Sequence, residues 1–312
     1  MDRARLPDHN GCRASLYVDP CRRREGKATV FQSHSLHAEG VRLLLESSDT
    51  PGPSLLCLHG VLRAGRDFAP LWGHLARRWQ LHALDQRGHG GSEWTPGRYL
   101  IADFTADAIA LVRDHLEGDV VILGHSLGAL VAIGVAAALP GRIKGVVLED
   151  PPSPSLLADV HSSSWNAIWT GMEAITRLRL RETSVILRHL SEMRVPAVGG
   201  PVRLGDLRDA TSLRFSARCL RDLDPEVFEP LLANRWPQGY DISTLCSGVR
   251  CPALILRGDP ALGGMLLRDE ALAMAARMED GVVVDVPGAG HLIHWTSAET
   301  MARLVLGFLE SL

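Results

Sequence analysis

Gly124-His125-Ser126-Leu127-Gly128 has the spacing of a serine held on a sharp reversal between a strand and a helix. The apolar run Val-Val-Ile-Leu precedes it and the apolar segment Leu-Gly-Ala-Leu-Val-Ala-Ile-Gly-Val-Ala-Ala-Ala-Leu follows, which is the setting such a turn requires. A reversal this tight holds the serine in a strained backbone conformation and leaves no room for bulky neighbours, hence the flanking glycines. The hydroxyl then projects from the carboxyl edge of a sheet beside a helix N-terminus, whose partial positive charge faces it. Ser126 is therefore a candidate nucleophile, and a serine hydroxyl needs a base at neutral pH.

The candidate base is His291, in Val286-Pro287-Gly288-Ala289-Gly290-His291, a glycine-rich loop after the last core strand that can reach back toward the serine. His294, three residues on, is its nearest competitor. The base must be oriented by a carboxylate. Asp259 and Asp150 both end apolar strands and both preserve the order serine, acid, histidine. Asp259 is preferred because its strand immediately precedes the histidine strand; Asp150 is the alternative acid. The backbone N–H groups of Leu127 and Val61 are the expected oxyanion hole, the second from the loop after Leu-Leu-Cys-Leu-His-Gly. His59 in that loop is expected to pin the backbone rather than to transfer protons.

The elements that must position these residues are legible as periodicity. Residues 29–38 and 41–48 read as two strands separated by a Glu39-Gly40 turn. After the Pro-Gly-Pro break at 51–53, short apolar runs at 55–60, 81–85, 120–124, 146–150, 253–259 and 282–288 recur. Helical spacing at 67–78, 103–116 and 127–139 separates several of them. Such alternation predicts an α/β fold with a mostly parallel sheet covered on both faces. It stops between Pro151 and about Leu245, where helical patches at 163–175, 178–193, 206–221 and 225–234 predict an all-helical cap. The expected organisation is a poorly ordered lead-in at 1–28, a core of 29–151 and 246–312, and a cap of 152–245.

Bulk properties narrow the function classes. A net charge of −3 carries no polyanion-binding signature, so nucleic acid is not an expected partner. The absence of any run of about 18 apolar residues argues against a membrane span. Arg22-Arg23-Arg24 lacks the apolar stretch an export signal needs, and six scattered cysteines fit reduced thiols; both suggest the cytoplasm. No metal-ligand spacing and no nucleotide or flavin motif occurs, so neither a metal nor a cofactor is expected.

These segments resemble the α/β-hydrolase superfamily, and the resemblance covers nearly the whole chain after the lead-in. Leu58-His59-Gly60, Asp85-Gln86-Arg87-Gly88-His89-Gly90-Gly91-Ser92, Gly124-His125-Ser126-Leu127-Gly128 and Gly288-Ala289-Gly290-His291 stand in that family's order. The resemblance implies Ser126 as nucleophile, His291 as base and a helical cap over the pocket. It argues against haloalkane dehalogenases and epoxide hydrolases, relatives that look to carry aspartate at the place of Ser126. Gly258 and Asp259 are adjacent here, whereas many members separate that glycine and the acid by two residues. The expected activity is hydrolysis of small to medium, largely apolar carboxylic esters through an acyl-enzyme, with Trp165, Trp169 and Met172 of the cap as substrate-binding residues. A carbon–carbon bond hydrolase or a perhydrolase could use the same triad, and a non-catalytic ligand receptor could use the same scaffold.

Overall fold

The computed structural model describes residues 14–16, 29–197 and 199–312. Strands β1 (Ala14–Leu16), β2 (Val30–Ala38) and β3 (Val41–Ser48) run antiparallel at one side of the main sheet. Apart from β1, the expected lead-in at 1–28 lies outside the described residues. The β2–β3 hairpin turns at Glu39-Gly40 as the sequence implied, and both residues have positive φ (50° and 73°).

β4 (Ser54–Leu58), α1 (Ala69–Leu75), β5 (Gln80–Asp85), α2 (Ile101–Asp114), β6 (Val120–His125), α3 (Leu127–Ala138) and β7 (Ile143–Glu149) then alternate. Between β7 and the next sheet strand lie α4 (Pro154–Ala158), α5 (Ser164–Arg177), α6 (Thr183–Glu192), β8 (Arg194–Val195), β9 (Val202–Arg203), α7 (Leu204–Leu207), α8 (Ala210–Arg221), α9 (Phe228–Leu232) and α10 (Ile242–Gly248). The chain finishes with β10 (Pro252–Arg257), α11 (Arg268–Ala275), β11 (Asp280–Asp285), α12 (Ile293–Thr296) and α13 (Ala298–Leu309). The main sheet has the order β1-β2-β3-β5-β4-β6-β7-β10-β11, and every pair from β5 to β11 is parallel.

Continuous apolar strands follow from burial on both faces. In β4, Leu55 and Cys57 face one core cluster with α1 and α13, while Leu56 and Leu58 face the other with α2 and α3. β6 divides in the same way, Val121 and Leu123 against Val120 and Ile122. Helix α3 is buried all along its length from Leu127 to Ala136 because α2 and α10 cover the sides not against the sheet.

The segment between β7 and β10 is not wholly helical. β8 and β9 form a two-residue antiparallel pair, too short to leave a periodic signal in the sequence. Asp224 begins a helical turn, its side chain accepting from the Glu226 N–H. Helix α10 packs on α3 and so straddles the boundary expected at residue 245. Among the described residues no helix is long and apolar enough to cross a membrane.

Candidate active site

The parallel strands deliver their C-terminal ends to one edge, the usual place for ligand chemistry in an open α/β sheet. Loops there carry Val61 after β4, Ser126 after β6, Asp150 after β7, Gly258 after β10 and His291 after β11.

Ser126 joins β6 to α3 with φ 54° and ψ −117°, a left-handed conformation enforced by its surroundings. A Cβ on Gly124 would come within 2.3 Å of the Gly128 carbonyl oxygen. One on Gly128 would lie 1.9 Å from the Leu58 oxygen. Backbone packing therefore requires both glycines. Gly60 lets the β4 loop approach from the other side: a Cβ there would sit 2.7 Å from His125 Nδ1 and 3.1 Å from the Ser126 Cβ.

That loop is fixed from below. His59 Nδ1–H donates to the Gly60 carbonyl (2.7 Å) and its Nε2 accepts from the Gln86 N–H (3.0 Å). Burial pushes His59 down to about 4, so it stays neutral, as its expected pinning role demands. The Leu62 N–H donates to His89 Nε2 (3.2 Å), and the Asp85 carboxylate holds the Gly65 and Gly91 amides. Thus the Asp85–Ser92 segment braces the turn that presents Val61. The Val61 N–H donates to no other group of the described residues, and the Leu127 N–H belongs to the first turn of α3, which has no intrahelical acceptor.

His291 Nδ1–H donates to Asp150 Oδ2 at 2.7 Å. Asp150 is fully buried and also accepts from the Gly258 N–H (3.1 Å) and the Met265 N–H (2.8 Å). Asp259, the acid preferred from the sequence, is corrected here: its Oδ1 accepts from the Ala261 N–H (2.9 Å), capping a short helical turn at Pro260–Leu262. Strand order explains the outcome. β7 lies directly beside β6, so its end stands next to the serine turn, and the histidine loop crosses the end of β10 to reach it. Gly258 supplies a backbone donor to Asp150, and its neighbour Asp259 turns outward. The adjacency of Gly258 and Asp259, a departure from the family pattern, was the sequence signal for this difference.

Ser126 and His291 line one cavity of about 40 Å³ with Val61, Leu62, Leu292 and Met265. Trp165, Trp169 and Met172, all on α5, close it from the other side, so the three residues expected to bind substrate line it. The Trp165 ring meets His291 edge-on at 4.8 Å between centroids. Ser126 Oγ lies 4.0 Å from Met265 Sδ and makes no hydrogen bond to His291, a common looseness in unliganded sites. Sequence reasoning missed Arg63, Arg208, Ser216 and Leu220, which with His125 complete the lining.

Behind the serine lies a buried charge network. Arg63 forms a two-pronged ion pair with Asp67 and donates to Ser216 Oγ (2.7 Å). His294 donates from its backbone N–H (2.9 Å) and Nδ1 (2.8 Å) to Glu149, and its Nε2 is 3.2 Å from Asp67. The Trp295 indole N–H donates to Asp67 (2.7 Å). Burial works against a charged His294, but Glu149 and Asp67 outweigh it and push the ring up to about 9. Burial would raise Asp67, yet Arg63 and His294 hold it well below the usual carboxylate range. His294 is thus a structural cation with no lone pair for proton transfer, which removes it as a competitor of His291. His125 donates from Nε2 to the His291 carbonyl (3.0 Å), and burial first, then the adjacent His291 and His294 rings, hold it well below its ordinary value. Asp67, His125 and His294 bring possible metal-ligand atoms within 4.8 Å of one another, but the ion pairs already occupy Asp67 and His294.

With this strand order, serine turn and histidine–carboxylate pair, the chain belongs to the alpha/beta hydrolase family, whose sequence pattern matches residues 55–304. Among curated relatives, it is 29% identical to the 2-(acetamidomethylene)succinate hydrolase of Mesorhizobium japonicum, over 83% of this chain and 89% of that protein. It is 26% identical to the pimeloyl-[acyl-carrier protein] methyl ester esterase of Chromobacterium violaceum, over 83% and 95%. A thermophilic esterase from Thermogutta terrifontis shares the fold with a TM-score of 0.67 at 21% identity, over 90% of this chain and 98% of that one.

Proposed function

We propose that this hydrolase cleaves carboxylic ester bonds through an acyl-enzyme, with Ser126 as nucleophile, His291 as general base and Asp150 as the acid that orients it. The observation that carries this reading is the 2.7 Å hydrogen bond from His291 Nδ1 to a fully buried Asp150, at the wall of the cavity that also holds Ser126. Donation from Nδ1 leaves the Nε2 lone pair to accept the serine proton. The Ser126 oxygen attacks the ester carbonyl, and the tetrahedral oxyanion is held by the N–H groups of Val61 and Leu127. His291 then returns the proton to the leaving alcohol, and water deacylates the enzyme by the same route in reverse.

Residues 152–245 act as the cap in this reading. Trp165, Trp169, Met172, Leu220 and Met265 offer an apolar surface for a small or medium acyl or alcohol group. Two methionines allow the narrow cavity to reshape around a substrate, because unbranched thioether chains repack readily. The printed name of one relative, a methyl ester esterase, fits the same bond type.

The test is labelling by an organophosphonate together with ester turnover. The native chain is expected to label once, at Ser126, and Ser126→Ala to lose both labelling and turnover, the latter by about 10⁴-fold or more. Stoichiometric labelling of the variant, or full turnover without the hydroxyl, would overturn the assignment.

A further inference from the structure

Arg208 sits between α7 and α8, half-buried, with its side chain on the wall of the Ser126 cavity. Its guanidinium has no hydrogen-bond or ion-pair partner among the described residues, although acids surround it in sequence. Asp206 is taken by Arg203, and the Asp209 carboxylate caps α8 by accepting from the Thr211 and Ser212 N–H groups. The other guanidinium in the cavity, Arg63, is neutralised by Asp67. No aspartate or glutamate lines the cavity. A guanidinium left without a counter-ion in a cavity wall is open to an anion, and its planar fork of donors suits a carboxylate held by two parallel bonds. Burial, and then the neighbouring charge of Arg63, push Arg208 down to about 10, the direction expected where an anion is missing.

We infer that Arg208 is the binding site for a carboxylate carried by the substrate, so that the ester cleaved at Ser126 belongs to a short acid bearing a second, free carboxyl group. This rests on the hydrolase reading above and replaces a purely apolar substrate with one that is apolar along its chain and anionic at one end. Carboxylate is favoured over phosphate because the cavity supplies one free guanidinium and otherwise mostly apolar walls, whereas a phosphate dianion calls for more donors. Ser126 and Arg208 line the same small cavity, so the chain between the two carboxyl carbons is short.

The experiment compares monomethyl and dimethyl esters of succinate, glutarate and adipate. The native chain is expected to favour at least one half-ester in kcat/KM, and Arg208→Gln to lower the half-ester to diester ratio about 30-fold, the worth of one charge-assisted pair. Arg208→Lys should recover part of the ratio, since it restores charge but not the fork. A native enzyme indifferent to the free carboxylate, or an unchanged ratio in Arg208→Gln, overturns the inference. Phosphonate labelling of Ser126 on the same preparations separates failures: labelling without charge preference sinks the carboxylate site and leaves the hydrolase reading standing. Calorimetric binding of monomethyl glutarate to Ser126→Ala, with and without Arg208→Gln, reads the site even if no turnover is found. Loss of binding with Arg208 supports it. Equal binding by both chains, or tighter binding of inorganic phosphate than of the half-ester, rejects it.

Discussion

Two regions on either side of Ser126 both carry charged side chains, yet they are built on opposite terms. Behind the serine, two cations and two anions (Arg63, His294, Asp67 and Glu149) meet one another at hydrogen-bonding distance. In front, Ser126, His291, Val61 and Arg208 line one cavity, and the Arg208 guanidinium has no hydrogen-bond or ion-pair partner among the described residues. Buried polar groups normally find partners, so a set left open together marks where a ligand completes the bonding. The presence of charge does not separate the two regions; its pairing does. Arg63 touches both, and its pairing to Asp67 places it with the scaffold.

The comparison is most sharply broken at Asp150, which belongs to the scaffold by its two backbone hydrogen bonds and to the open face through His291. Asp150→Asn is expected to lower kcat by about 10⁴-fold, because an amide no longer fixes the productive tautomer of the histidine. Single-turnover acylation with a p-nitrophenyl ester measures this directly. A loss of less than tenfold would move the acid role elsewhere.

The next effect should fall on stability. His294→Ala removes the cation between Glu149 and Asp67 and leaves buried negative charge uncompensated, a change worth about 3–5 kcal/mol. Denaturant titration gives the difference. The same group fixes a pH dependence. Its folded pKa near 9 lies above the unfolded value of about 6.5, so its contribution is fully present below pH 6.5 and is lost as pH rises through 9. The native chain should lose roughly 3 kcal/mol between pH 6 and pH 10 from this source, and His294→Ala should lack that component. Identical pH slopes for the two proteins would mean that the ring is not held charged.

How far these regions could be read in the sequence differs for physical reasons. The sheet was legible because period and burial agree: strands such as Leu55–Leu58, covered on both faces, are apolar throughout, and helix α3 is buried on all sides. Ser126 and His291 were legible because tight turns demand glycines at fixed offsets. The carboxylate that meets His291 was not, since Asp150 and Asp259 both end apolar strands and only strand order places β7 beside β6. Arg208 was beyond reach for a different reason. Arg203, Arg208, Arg214, Arg218 and Arg221 form one basic series, and only folding turns Arg203 to Asp206, Arg221 to Asp222 and Arg208 into the cavity. The β8–β9 pair escaped because two residues have no period.

The smallest expected effect closes the choice between the two aspartates. Asp259 accepts one backbone N–H through Oδ1, a task an asparagine oxygen performs equally well, so Asp259→Asn should stay within about 0.5 kcal/mol of native stability and within twofold in turnover. Asp259→Ala removes the cap and should cost about 1 kcal/mol, read as a lowered melting temperature. The contrast with Asp150→Asn matters more than either value. Both residues end neighbouring parallel strands, yet the Asp150 side chain turns inward to a histidine while that of Asp259 holds a helical turn facing outward. If Asp259→Asn cost as much turnover as Asp150→Asn, the 2.7 Å hydrogen bond at His291 would not be the one that matters during acylation.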